Sequence, residues 1–373
     1  MSLITTLHIL PGPVYNSEDT IKLKYVELSR FSQGSVVSLG PTEINNQFGN
    51  YNIKLTGTNE RYNAKSNFKL FLAAMKEAKA LKRSKGLDIV ICYDPLKTGL
   101  ISYLIKKIYG CKMIVEVNGV YDSPELYRFK KGFLIKIKRA IYPKIQNFIL
   151  RSSDGVKCLF KGQVKNDLPV KKQIVRHFFD FTQISKSNYA VNDTPVILSM
   201  GYPSYIKGMD VLVTAFNKLA DKYPSWKLVI AGYFSPGDRE YLQDLAVDKE
   251  RVSIRKPVEF SKVPELIDHS NIFVLASRTE GIPRVLIEAM ARGRARIAST
   301  VGGIPAVIND GKDGFLIEPG NVDDLCEKLV KLMDSEPLRK KFCEAGLKRF
   351  ENEFTITQYT QHIQELYESV CAI

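Results

Sequence analysis

The sequence predicts an α/β protein built as two Rossmann-like domains, each a parallel sheet covered by helices on both faces. Three observations carry that expectation. Short apolar, β-branched runs alternate with helix-period segments along the chain, as parallel strands buried on both faces require. The length of 373 residues suits about two domains at roughly 100–200 residues each. A polar stretch at 182–194, TQISKSNYAVNDT, separates two such series and reads as a linker.

In the first series, strands are expected at 3–10, 35–39, 52–55, 87–92, 112–117, 155–159 and 173–177, with helical patterns such as 67–81 and 96–109 between them. In the second, strands are expected at 196–200, 227–231, 252–254, 272–276, 296–299 and 315–317, and helices at 208–222, 236–247, 263–270, 283–292 and 323–333. A last helix covers about 355–370. The expected domains are residues 1–185 and 186–355, followed by a C-terminal helix over 356–373 that can pack back on the N-terminal domain. Ligands in such folds sit at the carboxyl ends of the strands, here in a cleft between the domains.

Composition narrows the class. Hydrophobic residues at 45% and charged residues at 25% are ordinary for a globular protein and argue against disorder or a coiled coil. No run of about 18 apolar residues offers a bilayer-spanning helix, and the N-terminus has no basic region or small-residue cleavage site of a signal peptide. Six scattered cysteines without a C-x-x-C pair argue against a zinc site or disulfide framework and fit a reducing cytoplasm.

The net charge of +14 is unevenly spread. Residues 1–190 carry 31 Lys and Arg against 14 Asp and Glu, whereas residues 191–373 carry 23 against 26. Such asymmetry points to an anionic partner for the first half, although a Lys-rich surface that merely solvates one domain gives the same totals. The charge concentrates at 126–144, LYRFKKGFLIKIKRAIYPK. There Arg128, Lys130, Lys131, Lys136, Lys138, Arg139 and Lys144 accompany Phe129, Phe133, Leu134, Ile137 and Ile141 at helical spacing, with no acid. A basic amphipathic helix of this kind can lie on an anionic membrane through Phe133 and the cations, or be a domain helix with a solvated face. Nucleic acid is not expected, since no RNP, zinc-finger or helix-turn-helix signature is present.

The most informative stretch is 277–321, SRTEGIPRVLIEAMARGRARIASTVGGIPAVINDGKDGFLIEPGN. Glu280 falls just after an expected strand, and Glu288 falls inside the helix that follows. Gly281 permits close backbone approach, and Pro283 suits the first helical turn. The N–H groups of Gly281, Ile282 and their neighbours then form an anion site suited to a diphosphate, backed by the helix dipole. Glu280 at its rim can accept hydrogen bonds from sugar hydroxyls, and Glu288 can hold a ribose diol. Val285, Leu286 and Ala289 are expected to face the sheet.

The motif EGIPRVLIEAMARG, followed by VGGIPAV and DGKDGFLIEPGN and preceded by ILSMGYPSYIKGMDVLVTAF and LVIAGYF, resembles the family 4 glycosyltransferases with the GT-B fold. The resemblance covers about 194–335 strongly and the first half weakly. It implies two Rossmann-like domains facing a central cleft, and retaining transfer from a nucleotide-sugar to a lipid-linked or polysaccharide acceptor, without a metal; no D-x-D motif is present. It assigns Lys207 to the donor diphosphate, Glu280 to the donor sugar and Glu288 to the ribose. Gly232 matches the glycine ending the family's second donor-domain strand, the loop 255–258 with Lys256 and Val258 matches the segment that cups the base, and Arg284 matches a variable phosphate neighbour. Tyr202 stands where the family usually has a second diphosphate-binding Arg, a loss that Arg278 or an N-domain Lys can offset. Ala306 replaces the acid of GGIPE.

The first half matches less well. Gly12 in LPGPVYNSED is the best match for the Gly-rich loop after strand one, and Asn118-Gly119 stands where the family often has His-Gly. Asn118 can hydrogen-bond a sugar hydroxyl but cannot titrate. Glu116, two residues earlier on the same strand face, is a candidate for the cleft. Asp180 matches an acidic residue entering the linker. Family relatives dock on membranes through the region matching 126–144, which implies a protein peripheral to the inner face of the plasma membrane. Two other readings remain: a catalytically degenerate GT-B protein that binds a membrane or partner, motivated by Tyr202 and Asn118, and a Rossmann oxidoreductase, which needs a G-x-G-x-x-G that 10–19 lacks.

Overall fold

The computed structural model describes residues 3–12, 18–58, 64–121, 123–128, 132–165, 167–178 and 194–371. The chain divides into two compact units: Met1–Asp122, Phe129–Asp180 and Thr355–Ile373 form the first, and Ser123–Arg128 with Phe181–Phe354 form the second.

The first unit runs β1 (Ile4–Leu10), α1 (Glu18–Leu28), β2 (Ser32–Ser38), β3 (Gly40–Phe48), β4 (Tyr51–Thr58), α2 (Ala64–Ser84), β5 (Ile89–Cys92), α3 (Lys97–Tyr109), β6 (Lys112–Val117), α4 (Phe133–Ser152), β7 (Gly155–Cys158) and β8 (Lys171–Ile174). Among the described residues its sheet has the order β3-β4-β2-β1-β5-β6-β7-β8. All pairings are parallel except β3 with β4. The antiparallel edge strand β3 was not expected, because its sequence GPTEINNQF has no apolar run; the ladder with β4 makes it a strand. α2, α3 and the end of α4 cover one face through Leu70, Ala74, Ile101, Ile105, Ile149 and Leu150.

The second unit runs β9 (Val196–Met200), α5 (Met209–Leu219), β10 (Lys227–Ala231), α6 (Pro236–Leu245), β11 (Val252–Arg255), α7 (Val263–Asp268), β12 (Ile272–Leu275), α8 (Arg284–Ala291), β13 (Ala295–Ser299), β14 (Phe315–Ile317), α9 (Val322–Asp334) and α10 (Glu336–Glu353). Its strands are parallel in the order β11-β10-β9-β12-β13-β14. The order reverses between β9 and β12, and in the first unit between β1 and β5. At such a switch point neighbouring crossover helices depart to opposite faces, leaving a crevice beyond the strand ends.

The last helix, α11 (Ile356–Cys371), belongs to the first unit. Its buried stripe, Tyr359, Ile363, Leu366, Tyr367 and Val370, packs with Tyr25, Leu28 and Val36 on the face opposite α2 and α3. The Cα of Gly155 leaves the room that Val370 and Leu366 fill.

The basic stretch is not one helix. Residues 124–127 form a 3-10 turn, and α4 begins only at Phe133, after Gly132 at φ 118°, a backbone geometry that excludes most side chains. Arg128 falls in the second unit, 3.8 Å from Glu125 and with its guanidinium 5.0 Å from the Tyr205 ring centre. Lys130 and Lys131 lie outside the described residues, as do Asp180 and residues 182–193 of the expected linker. Pro143 lies inside α4 without ending it; it is exposed, so water can serve the carbonyl that the missing N–H leaves unbonded. Phe133 is 76% exposed, and Lys136, Lys138, Arg139, Ile141 and Lys144 are exposed too. Among the described residues no helix is long and apolar enough to cross a membrane.

Candidate functional site

The second unit assembles a site at its switch point. After β9, the chain 203–208 coils tightly: Lys207 N–H donates to Pro203 O, Gly208 N–H to Tyr205 O and Met209 N–H to Ser204 O. Gly208 has φ 63°, and a Cβ there would stand 1.8 Å from the Ala276 carbonyl oxygen. Only glycine lets this turn press against the end of β12. Arg278 N–H donates to Ile206 O at 2.8 Å, tying the loop after β12 to the loop after β9.

These ties bring Lys207 to Glu280. Lys207 Nζ donates to Glu280 Oε1 at 2.5 Å, and Ser277 Oγ donates to the same oxygen at 2.8 Å. Both ionic side chains are largely buried, 15% and 9% exposed, which strengthens their attraction relative to a surface pair. The VGG segment supports Glu280 from the other side. Gly303 N–H donates to Gly281 O at 2.7 Å, and Gly302, at φ 53°, would set a Cβ 1.8 Å from Glu280 O. Gly302→Ala is therefore expected to push the Glu280 backbone away and to cost about 1–3 kcal/mol in strain. A lowered melting temperature with weakened ligand binding checks this; an unchanged protein contradicts it.

Beside this pair lies a cavity of about 260 Å³ at the carboxyl ends of β9, β10 and β11. Its lining includes Gly201, Tyr202, Gly232, Val258, Val285 and Glu288. Gly201 also faces the Lys207 stem, since a Cβ there would meet Lys207 Cε at 2.9 Å. Cavity and ion pair are thus neighbours. Burial pushes the Glu288 carboxyl up, and the Arg284 charge opposes that shift.

Several expectations need correction. Val285 lines the cavity instead of the sheet; Ile287 joins Leu286 and Ala289 in the buried face of α8. Pro283 caps the helix, and α8 starts at Arg284. The Ile282 and Pro283 side chains are buried and Gly281 is half-buried. Lys256 is exposed and does not line the cavity, where Pro257 and Val258 stand instead. Arg278 is not available to replace the missing Arg, because it forks onto Asp210 at 2.7 and 2.8 Å and stacks on Tyr205 at 3.9 Å. Ser277, Tyr233 and Val263 were not anticipated. Tyr233 directly follows Gly232, but nothing in the sequence placed the start of α7 beside this cavity.

In the first unit, Gly12 follows β1 and its carbonyl accepts from Ser38 Oγ at 2.6 Å; residues 13–17 of its loop lie outside the described residues. Asn118 ends β6 half-buried, and its amide donates to Tyr93 O and to Glu116 Oε2, both at 3.2 Å. Glu116 is not an open-cleft carboxylate. It is 2% exposed and pairs with Lys157 at 2.9 Å and Lys24 at 4.0 Å. Burial opposes its ionisation, but Lys157 and Lys24 outweigh that and hold it at about 2. Lys24 bonds the Tyr93 hydroxyl and lies 5.5 Å from the Tyr359 ring centre, with Lys157 at 5.3 Å from that ring. Burial pushes Lys24 down to about 8.

His8, wholly buried in β1 between the Tyr25 and Tyr51 rings, is pushed down to about 3, first by burial and then by Lys24. An unfolded His takes its proton near pH 6.5 while the folded one resists it, so His8 lowers stability as pH falls from about 6.5 toward 3. Over two pH units this is about 3 kcal/mol. His8→Phe is expected to flatten the loss of stability between pH 6.5 and 4.5, measured by denaturant unfolding; an equal slope in both proteins refutes the assignment.

Residues 180–349 match the family model described as Glycosyl transferases group 1. An uncharacterized glycosyltransferase of Methanocaldococcus jannaschii is 26% identical over 299 residues, 80% of each chain. Both matches are to glycosyltransferases, and the family model falls almost wholly in the second unit. The chain spans about half the length of several other curated relatives it matches. The fold of the chain is similar to that of sucrose-phosphate synthase from Thermosynechococcus elongatus, with TM-score 0.78 at 15% identity over 100% of both chains. It is also similar to Anabaena HepE in complex with UDP and glucose, with TM-score 0.70 at 15% identity over 98% of this chain and 99% of that one.

Proposed function

We propose that the protein is a retaining glycosyltransferase that moves a sugar from a nucleotide-sugar to a lipid-linked or polysaccharide acceptor at an anionic membrane surface, on the inner face of the plasma membrane. The observation that carries the reading is the Lys207–Glu280 pair beside the cavity at the strand ends. The cavity, just under the roughly 300 Å³ of a small-molecule site, suits the nucleoside portion of a donor. The exposed Tyr202 and Tyr233 rings offer stacking surface, and Glu288 offers a carboxylate to a ribose diol. HepE binding UDP and glucose supports a donor of this class.

In the proposed chemistry the bond from the sugar's anomeric carbon to the diphosphate breaks and charge builds on the leaving oxygens. Lys207 stabilises that charge as a preorganised cation, in a mechanism that needs no metal. Glu280 positions both Lys207 and the sugar hydroxyls. The acceptor hydroxyl attacks the anomeric carbon on the face the diphosphate leaves and gives its proton to the departing diphosphate oxygen. Asn118, held by Glu116 and Tyr93, faces the acceptor's hydroxyls in this reading. The basic, solvent-exposed first turns of α4 supply the membrane contact, through Phe133, Lys136, Lys138 and Arg139.

Calorimetric titration with uridine, guanosine and adenosine diphosphate sugars tests the donor reading; binding of one, followed by sugar release or transfer, is expected. Absence of both favours a degenerate binding protein, the alternative raised by Tyr202 and by the commitment of Arg278 to Asp210. Co-sedimentation with phosphatidylglycerol vesicles is expected to fall steeply as salt rises, and salt-insensitive or absent binding overturns the membrane contact.

A further inference from the structure

The switch point of the first sheet, between β1 and β5, holds a second cavity of about 240 Å³. Pro11 from the end of β1, Leu70 and Phe71 from α2, and Leu100 and Ile101 from α3 make its walls; Asn67 and Lys97 are its polar members. At this size it holds part of a ligand. The same two helices also carry exposed apolar side chains: Phe68 at 59%, Leu72 at 51%, Leu104 at 44% and Ile108 at 60%. Large apolar side chains exposed together on neighbouring helices mark an interaction site.

Cations outnumber acids around it, Asp94 being the acid that acts on Lys97. Lys97 stands in the cavity lining, and burial first, then the charge of Lys138 on α4, push its ammonium down against the opposing pull of Asp94. α4 abuts α3 through the edge-to-face pair Tyr103–Phe148, at 5.0 Å. Lys136, Lys138, Arg139 and Lys144 on α4 have no carboxylate partner among the described residues. A second copy of this chain would bring a like-charged surface to the groove. An apolar chain ending in an anionic group complements it on both counts.

We propose that the α2–α3 groove is a binding slot for the hydrocarbon chain of a phosphorylated lipid, with Lys97 and the cations of α4 holding the phosphate. The slot rests on the reading above that the acceptor is lipid-linked, and gives that acceptor's chain a place at the strand ends of the first sheet.

The test is titration of the full chain with farnesyl phosphate below its aggregation concentration, with farnesol and inorganic phosphate as separate arms. Farnesyl phosphate is expected to bind, farnesol at least 10-fold more weakly, and inorganic phosphate not measurably. Leu100→Glu, at a position 42% exposed, and Asn67→Trp, which fills the slot from its rim, are each expected to weaken farnesyl phosphate at least 10-fold while the melting temperature is retained. Lys97→Gln is expected to weaken farnesyl phosphate but not farnesol. Equal binding by the wild type and both folded variants, or no binding by the wild type, overturns the slot, as does a dimer that Leu100→Glu dissociates. A parallel titration with nucleotide-sugars separates the two readings. Donor binding without chain uptake ends the slot and leaves the transferase. Chain uptake without donor binding supports the slot and ends the transferase.

Discussion

Lys207→Ala is expected to lower sugar transfer by about 10²–10³-fold, the loss typical of removing one preorganised donor from a developing oxyanion. The size follows from the surroundings. Lys207 is 15% exposed and sits 2.5 Å from Glu280, and the nearby Tyr202 brings no charge. Arg278, forked onto Asp210, does not take over the charge. The loss belongs mainly in kcat, because the interaction strengthens as the diphosphate leaves. Glu280→Gln keeps a hydrogen-bond acceptor but removes the charge that orients Lys207, so a smaller loss is expected. The double variant is expected to cost less than the sum of the two, since the residues act as a pair. Steady-state kinetics of the three proteins check this, and full transfer by Lys207→Ala overturns the site assignment.

Glu116→Gln is expected to destabilise the first unit by about 3–5 kcal/mol, the cost of leaving buried charge without its counter-ion. Glu116 is the carboxylate shared by Lys24 and Lys157, all three nearly inaccessible to solvent. Without it, two ammonium groups share one apolar chamber with the Tyr359 ring. A fall in melting temperature of roughly 10 °C is expected for a unit of this size. Adding Lys157→Met is expected to recover part of it by removing one orphaned charge. The pH dependence has a definite sign. The folded Glu116 carboxyl sits at about 2, below its ordinary value near 4.5. Its contribution is therefore fully present above pH 4.5 and is lost as pH falls toward 2. Glu116→Gln should remove that segment of the acid-unfolding curve. Unfolding that is unchanged in midpoint and pH dependence refutes the network's role.

The strand ends and turns of the second unit are largely legible in its residues. EGIPRVLIEAMARG and the Lys207-Gly208 turn are local in sequence, and each fixes a strand end, a tight turn and a helix start. What remained illegible is how loops far apart in the chain exchange hydrogen bonds. Nothing in the sequence tells that Arg278 spends its charge on Asp210, or that Gly302 exists to let a loop rest on Glu280. Glu116 and Asn118 illustrate the same limit in the first unit. Alternation correctly put them on one strand face, but α1 and α11 decide that the face is closed around Glu116. The basic stretch is legible as charge, but the start of its helix is not, because a single glycine at φ 118° starts α4 later than the apolar spacing suggests.

Strand periodicity and the order of motifs fix the α/β class, the parallel sheets and the residues that stand at the strand ends, because each depends on neighbours a few positions away. Packing alone decides which ionised groups are spent on one another and which still face a ligand. A carboxylate and an ammonium look alike in the sequence whether they meet in a dry interior, as Glu116 and Lys157 do, or at the rim of a cavity, as Glu280 and Lys207 do. Their energies differ because the dielectric around them is set by residues that only the folded chain brings near.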